Sequence, residues 1–318
     1  MRILVTGGCG FIGSNFIKYM LDEHKDYKIT NIDKLTYAGK RENLIENLID
    51  YQYNGNYYFV QGDINEIDLV AYIIKERQID TIINFAAETH VDNSIHNPDE
   101  FIKTNINGTY NLLSMFYEFP KQLKRFIQIS TDEVYGSLID FEEPFTEENS
   151  IAPNSPYAAS KASSDMLCRS FNKTYDYPII ITRCSNNYGP NQHSEKFIPT
   201  IIDRIKNNEK IPVYGNGKNV RDWVHVRDHC EAIDVVLHKG KDGEIYNIGG
   251  ENEKTNMDIV NYILAGFGKD NNLIEYVNDR LGHDWRYAMD ISKIKNKLGW
   301  KPKMDFEKEI KKLIKNEN

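Results

Sequence analysis

At 318 residues, the chain is long enough for one large α/β unit, or for a nucleotide-binding domain with a smaller partner domain. Its 39 Lys and Arg against 47 Asp and Glu give a formal charge of −8, which argues against a nucleic-acid-binding surface. Hydrophobic residues make up 40% of the chain, enough for a core, yet no apolar run approaches the roughly 20 residues that span a bilayer. Met1-Arg2 leads straight into a strand-like run with no signal-peptide pattern, so no membrane contact and a cytoplasmic location are expected. Cys9, Cys168, Cys184 and Cys230 show no metal-ligand or redox spacing. They are expected to be small buried hydrophobes, and no metal is expected.

Ile3-Leu4-Val5 is a short apolar strand. Gly7, Gly10 and Gly13 follow it in GxxGxxG spacing, with Phe11 and Ile12 between, and open a helix predicted over 14–24. Glycines there allow a tight turn and let the backbone approach a pyrophosphate, while the helix start offers free N–H groups. The strand over 28–32 ends at Asp33, 20 residues beyond Gly13. A carboxylate there holds ribose hydroxyls and repels a 2′-phosphate, which favours NAD over NADP. A third strand, 57–61, runs into Asp63-Ile64, a pair placed to hold an adenine ring. After a helix over 66–77, the strand over 81–85 leads to Ala86-Ala87-Glu88-Thr89-His90. The alanines leave room for a cofactor; Thr89 and His90 would face a substrate, although a lone histidine there is as often structural. One long helix is predicted over 98–119, with Thr104 and Asn105 directed at the cofactor.

Phe126, Ile127 and Ile129 mark a buried strand that delivers Ser130-Thr131-Asp132-Glu133-Val134-Tyr135-Gly136 to the crevice at the sheet's carboxyl edge. An acidic loop over 140–149 follows, and Asn154-Ser155-Pro156 caps the next helix. Tyr157 and Lys161 are four apart and share one helix face. A free phenol has a pKa near ~10, and a neighbouring ammonium lowers it. YxxxK occurs by chance in many helices, and Thr-Asp-Glu after a strand is often a cap; their position downstream of a dinucleotide fingerprint selects the chemical reading.

A further strand over 178–183 completes a βαβ rhythm. Beyond Cys184 come a polar loop over 185–190, a helix over 195–208 and a short strand over 211–214. An extended segment over 222–226, a helix over 228–238, a strand over 244–248 and helices over 255–267 and 292–298 follow. Lys196, Arg221, Arg280 and Arg286 each read as surface charges, but as a set around a cleft they would neutralise a diphosphate. The lysine-rich terminal helix reads as a solvated face. The expected fold is α/β: a doubly wound parallel sheet of Rossmann type with a smaller mixed α/β carboxyl-terminal substrate domain. The cofactor domain is expected over 1–183, joined by parts of 222–250, and the substrate domain over 184–318, interleaved with it.

These residues resemble the extended short-chain dehydrogenase/reductase group over nearly the whole chain, and within it the dTDP-glucose 4,6-dehydratase family. The resemblance rests on the three glycines, Asp33-Lys34-Leu35-Thr36-Tyr37-Ala38-Gly39, Ala86 to Asp92, Ser130 to Gly136, Tyr157-x-x-x-Lys161 and Arg183 to Pro190. Asn219 to Trp223 and Asp279 to Asp284 extend it. The adjacent Asp132 and Glu133 separate the chain from the related 4-epimerases, which lack that pair.

By this resemblance Tyr157, assisted by Lys161 and Thr131, takes a proton from the sugar 4-hydroxyl while hydride passes to tightly bound NAD. Glu133 then removes the C5 proton, Asp132 protonates the leaving 6-hydroxyl, hydride returns to C6 and C5 is reprotonated, giving dTDP-4-keto-6-deoxyglucose for deoxysugars such as rhamnose. The resemblance implies cofactor contacts from Phe11, Ile12, Asp33, Lys34, Thr36, Asp63, Ile64, Ala86, Ala87, Thr104, Tyr157, Lys161 and Asn187. Implied substrate contacts are His90, Thr131, Asn186, Lys196, Phe197, Pro212, Tyr214, Arg221, Asn256, Arg280 and His283. A homodimer is implied, through helices near 101–119 and 160–175. Ser194, Phe197 and Trp285 depart from the family pattern and bear on the choice of base. Alternatives are the same reaction on UDP-glucose, 4-epimerisation, and a dinucleotide sensor without turnover.

Overall fold

The computed structural model describes residues 1–279 and 282–316. β1 (Arg2–Thr6), α1 (Phe11–Glu23), β2 (Lys28–Asp33), α2 (Glu42–Tyr53), β3 (Tyr57–Gln61), α3 (Ile67–Arg77) and β4 (Thr81–Asn84) alternate from the start. α4 (Val91–His96) and the short α5 (Asp99–Phe101) lead through a π-helix (Ile102–Gly108) into α6 (Thr109–Glu118). β5 (Arg125–Thr131) ends in a 3-10 turn (Asp132–Tyr135), before α7 (Pro156–Tyr175), β6 (Ile179–Cys184) and β7 (Asn186–Tyr188). Next come α8 (Phe197–Lys206), β8 (Ile211–Tyr214), β9 (Val220–His225), α9 (Val226–Lys239) and β10 (Ile245–Ile248). β11 (Glu253–Thr255), α10 (Asn256–Gly266), β12 (Ile274–Val277), α11 (Ser292–Leu298) and α12 (Phe306–Asn316) follow.

Seven strands form one parallel sheet in the order β3-β2-β1-β4-β5-β6-β10. The strand order reverses between β1 and β4, and ligands of open α/β sheets bind at the carboxyl edge of such a point. Alternate residues of each strand feed two cores. Ile3, Val5 and Ile83 pack with α1 and α9 on one face. Leu4 and Ile82 pack with α3, α6 and α7 on the other. Burial on both faces explains why these strands read as continuous apolar runs rather than alternating ones. A third core joins α8, α10 and α12 to a small mixed sheet of β11, β9 and β7 and the β12-β8 pair.

Register places the chemistry. Asn84 at the end of β4 pairs with Gln128, so β5 runs on past β4 through Ile129 and Ser130 to Thr131. Thr131 in turn pairs with Cys184 at the end of β6. α7 starts where the sequence places it: Ser155 Oγ accepts from the Ala158 N–H at 3.1 Å, with Pro156 in the first helical position.

The predicted helix over 98–119 is broken by the π-helix, where Asn105 is buried. The Asn105 Nδ2 donates to Glu88 O at 3.1 Å and Ser160 Oγ at 2.8 Å, and its Oδ1 accepts from the Glu88 N–H at 2.9 Å. Wider turns of this kind recur at functional sites, and here one residue ties the loop after β4 to α7. The polar stretch predicted as loop contains β7, which pairs with β9. α12 is not wholly solvated: Phe306, Ile310 and Ile314 are buried on one face. α2, β11 and β12 carry no prediction. All four cysteines are buried and unpaired.

α7 and β6 are joined by an ion pair fully inside the protein. Arg183 Nε donates to Asp165 Oδ2 at 2.9 Å, and the guanidinium lies 4.6 Å from the Tyr135 ring centroid. Removing one partner leaves an uncompensated buried charge, which typically costs about 3–5 kcal/mol. Arg183→Met is therefore expected to lower unfolding stability by that amount in urea titration. The Arg183→Met/Asp165→Leu double variant is expected to recover most of it; no recovery would show that the pair's geometry, not its charge balance, holds α7 to β6.

Candidate active site

A cleft of about 320 Å³ opens at the carboxyl edge of the large sheet. Its floor begins at the turn after β1. Gly7 has φ 66°, and a Cβ there would lie 2.8 Å from the Ala86 backbone. A Cβ at Gly13 would lie 2.5 Å from Gly7 O, so any side chain would fill the cradle or push α1 off the sheet. No side chain caps α1, which leaves its first N–H groups directed at the cleft. Asp33 is buried; its two oxygens accept from the Cys9 and Leu35 N–H groups, each at 2.8 Å. Lys34 Nζ lies 2.9 Å from Asp63 Oδ2, closing the rim. Gly10, Phe11, Ile12, Thr36, Ile64, Ala87, Thr104, Asn187 and the other residues of the implied cofactor set line this cleft. Asn105, predicted to point at the cofactor, does not: it is buried and its amide donates to Glu88 and Ser160.

The five predicted catalytic residues meet at the other end of the same cleft. Thr131 closes β5 and caps the 3-10 turn, its Oγ1 accepting from the Glu133 N–H at 3.4 Å. The turn can end as it does because Gly136 adopts φ 91°, where a Cβ would meet Ala152 O at 2.5 Å. Asp132 is buried, and the Thr131 hydroxyl donates to its Oδ1 at 3.2 Å. Its Oδ2 has no protein partner. Burial first, and the Glu133 charge second, hold the Asp132 carboxyl well above the usual carboxylate range, against the pull of Arg221.

Tyr157 departs from the sequence reading. Burial, with Glu133, Cys184 and Asp132 adding to it, pushes the phenol well above its ordinary value, and only a hydrogen bond with Thr131 opposes this. Lys161 does not compensate, because burial lowers its own pKa and its Nζ donates to Ile129 O at 2.6 Å. The predicted ammonium effect assumed an exposed pair, whereas both groups are buried.

Asn186 and Lys196 also line the cleft, and Lys196 Nζ donates to Thr89 O at 3.2 Å. His90 is outside it: its Nδ1 accepts from the Asn93 N–H at 3.3 Å as the cap of α4. Arg221 is buried behind Asp132, donates to the Val220, Asp284 and Trp285 carbonyls, and stacks 4.4 Å from the Tyr287 ring centroid. Phe197, Pro212, Tyr214, Asn256 and His283 gather apart from the cleft. Phe197 stacks on Trp223, the Tyr214 ring meets His283 edge-on, and His283 Nδ1 lies 2.5 Å from Asp279 Oδ1. Asn256 opens α10, while Pro212 pairs with Glu275 across β8 and β12. Arg280 lies outside the described residues. The Trp285 indole N–H donates to Asp140 Oδ1 at 2.6 Å, on the 137–142 loop.

Sequence reasoning missed Glu88, Gln192 and His193, which also line the cleft. The Gln192 Oε1 is buried without a protein partner. It also missed His229, whose Nδ1 bonds the Asn187 Oδ1 at 2.9 Å and which burial keeps neutral, with a pKa pushed down to about 3. Glu88 belongs to the quoted Ala86–Asp92 run; Gln192 and His193 stand in an aperiodic loop, and His229 lies on the predicted helix over 228–238 with nothing in its spacing to mark it.

A family profile described as GDP-mannose 4,6 dehydratase matches residues 4–313. The Low-salt glycan biosynthesis protein Agl12 of Haloferax volcanii is 49% identical, with 96% of this chain and 95% of that protein covered. A dTDP-glucose 4,6-dehydratase of Xanthomonas campestris pv. campestris is 47% identical, with 96% of this chain and 90% of its own covered. A crystal structure of dTDP-glucose 4,6-dehydratase from Bacillus anthracis in complex with NAD superposes with a TM-score of 0.90 at 50% identity, over 99% of this chain and 96% of that one. The chain therefore belongs to the GDP-mannose 4,6 dehydratase family within the extended short-chain dehydrogenases/reductases, alongside the dTDP-glucose 4,6-dehydratases.

Proposed function

We propose that this chain is an NAD-dependent hydro-lyase that converts dTDP-glucose to dTDP-4-keto-6-deoxyglucose. The observation that carries the reading is the buried Asp132, its carboxyl held above the usual range, next to Glu133 on the cleft wall shared with Tyr157. The likeness to named dehydratases, one of them crystallised with NAD, supports the substrate and the cofactor.

NAD fits the cleft: the glycine cradle admits a pyrophosphate, and Asp33 stands where a 2′-phosphate would be repelled. When bound, NAD supplies a hydride acceptor that later acts as donor, and a positively charged ring. Tyr157 takes the 4-hydroxyl proton of the sugar; burial makes its phenolate costly, so the base acts only with a compensating positive charge in the cleft. Lys161 lines the cleft and anchors the end of β5 through the Ile129 carbonyl. A 4-keto group acidifies the C5 hydrogen, which Glu133 removes. Asp132, whose carboxyl burial holds well above the usual carboxylate range, donates to the departing 6-hydroxyl. Two neighbouring acids thus divide the work because burial makes one of them the more ready proton donor.

The cofactor half of this reading takes residues 1–183 with parts of 222–250, and the remainder of 184–318 holds the sugar nucleotide. Arg221 and Lys196 are the cations assigned to the diphosphate. Ile102, Tyr110, Tyr117, Met166 and Tyr175 are exposed on the π-helix, α6 and α7, and support a homodimer through that face. Among the described residues no helix is long and apolar enough to cross a membrane, and we place the enzyme in the cytoplasm.

Incubation with dTDP-glucose, UDP-glucose and GDP-mannose separately, followed by mass analysis, is expected to show loss of one water from dTDP-glucose alone. Loss from UDP-glucose instead would reassign the base, and an isomer of unchanged mass would indicate 4-epimerisation. Sedimentation is expected to give twice the 37.0 kDa chain mass; a single-chain mass would remove the dimer. In the variant series, Glu133→Gln is expected to reduce bound NAD without releasing water, and Tyr157→Phe to do neither at a useful rate. Water release by Glu133→Gln at the wild-type rate would contradict its role.

Asp132 also carries a stability sign. Its folded pKa is raised, so above the unfolded value of 3.8 the folded state binds more protons, and stability falls as pH rises through the folded pKa. Asp132→Asn removes that penalty. It is expected to slow dehydration about 10²–10⁴-fold while raising the thermal midpoint at pH 8, a gain that disappears as pH approaches about 4. A lower midpoint at pH 8 would show that the carboxyl is not held neutral.

A further inference from the structure

On the side of the molecule opposite the cleft mouth, the far end of α1 meets α9. His24 is the residue that ends α1, and with thirteen helical residues at about 1.5 Å each it stands roughly 20 Å from the glycine cradle. Asp234 and His238 are four apart on α9 and share one face. Asp234 Oδ1 lies 3.0 Å from His24 Nε2 and 3.0 Å from His238 Nδ1. Two imidazole nitrogens thus flank a single carboxylate oxygen. Among the described residues this is the one group of three or more His, Cys, Asp or Glu side chains whose donor atoms converge closely enough to hold a metal ion.

We propose that His24, Asp234 and His238 form a binding site for a divalent transition-metal cation of the zinc class, clamping α1 to α9. Zinc bonds of about 2.0–2.2 Å to nitrogen and oxygen set tetrahedral edges of roughly 3.3–3.5 Å between ligands. The two observed 3.0 Å edges to Asp234 therefore need to open by a few tenths of an ångström, while the His24–His238 edge, within 4.8 Å, sets how far the rings must close. The surrounding groups already hold the donors in place. His238 Nδ1 also lies 2.8 Å from the Asp234 backbone carbonyl, a contact the metal would replace; Tyr27 Oη lies 2.7 Å from His238 Nε2, so with Nδ1 on the metal the ring directs its remaining N–H at that phenol. The His24 ring stacks on Tyr27 at 4.4 Å with an interplanar angle of 10°, which fixes its plane. Tyr19 Oη reaches Asp234 Oδ2 at 3.5 Å.

Two imidazoles with one carboxylate select Zn²⁺, Co²⁺ or Ni²⁺ over Mg²⁺ or Ca²⁺, which prefer all-oxygen sites. Water would complete the coordination shell. His24 lies 210 residues before Asp234, so only the Asp234–His238 half of the site has a local spacing. It makes no contact with the residues assigned to the dehydration chemistry.

The test uses the full chain stripped with EDTA. Zinc chloride is expected to raise the thermal midpoint by about 5 °C once free zinc exceeds its dissociation constant roughly a hundredfold. Magnesium chloride is expected to leave it unchanged. Cobalt chloride is expected to give the visible ligand-field bands of a four-coordinate N/O site, a readout that does not depend on any variant folding. His24→Gln and His238→Gln, checked for fold by circular dichroism and for unchanged dehydration, are expected to lose both signals. Absence of cobalt bands and of a zinc shift in the wild-type chain overturns the proposal. So does an equal zinc shift in both variants, which would place the ion elsewhere.

Discussion

The site depends on one electrostatic constraint: a carboxyl group taken out of water next to a second acid. In water two neighbouring aspartate and glutamate side chains are both ionised at neutral pH, and neither can donate a proton. Here Asp132 is closed in at the end of β5, and the cost of a buried charge, reinforced by Glu133, raises its pKa well above the usual carboxylate range. The same burial makes the Tyr157 phenolate expensive and draws down the Lys161 pKa. A dry wall of three titratable groups cannot be charged at will, and that reluctance is what gives each group a separate task.

The fold supplies this dryness. β5 is flanked by parallel strands on both sides and covered on both faces, and it extends past β4 so that its last residues reach the cleft. α7 is fixed from several directions: the Ser155 cap at its start, the Asn105–Ser160 hydrogen bond from the π-helix, and the Asp165–Arg183 pair against β6. Each tie acts within two turns of Tyr157 or Lys161. The glycine turn after β1 leaves room on the same edge, because the Gly7 backbone packs directly on Ala86. Cofactor cradle and proton-transfer groups are thus opposite ends of one crevice rather than two assembled sites.

Much of this could be read from the chain because its signals are local. Apolar runs such as residues 3–5 and 126–129 admit little besides buried strands, and Ser155-Pro156 marks the start of α7. The glycine spacing, Asp33 and the Tyr157–Lys161 pair acquire meaning from their place after strands, and all of them line the cleft. What escaped was non-local. The π-helix arises because Asn105 bonds across to Glu88 and Ser160, which no helical periodicity records. β7 is three residues long and exists through its partner β9. α12 reads as a lysine-rich surface, yet Phe306, Ile310 and Ile314 recur at four-residue intervals and are buried against the third core. The pKa of Tyr157 was misjudged since sequence proximity gave the ammonium but not the desolvation. Gln192 and His193 enter the cleft from an aperiodic loop, and the His24–Asp234–His238 group spans α1 and α9.

The most direct measurement is infrared difference spectroscopy of the Asp132 carboxyl at pH 7. A buried protonated carboxylic acid has a carbonyl stretch distinct from that of a carboxylate. The band is expected in the wild-type chain, absent from Asp132→Asn and retained in Glu133→Gln, because burial is the leading cause of the retained proton. A wild-type spectrum with no protonated-carboxyl band assignable to Asp132 would contradict the account, since the elimination would then lack its acid.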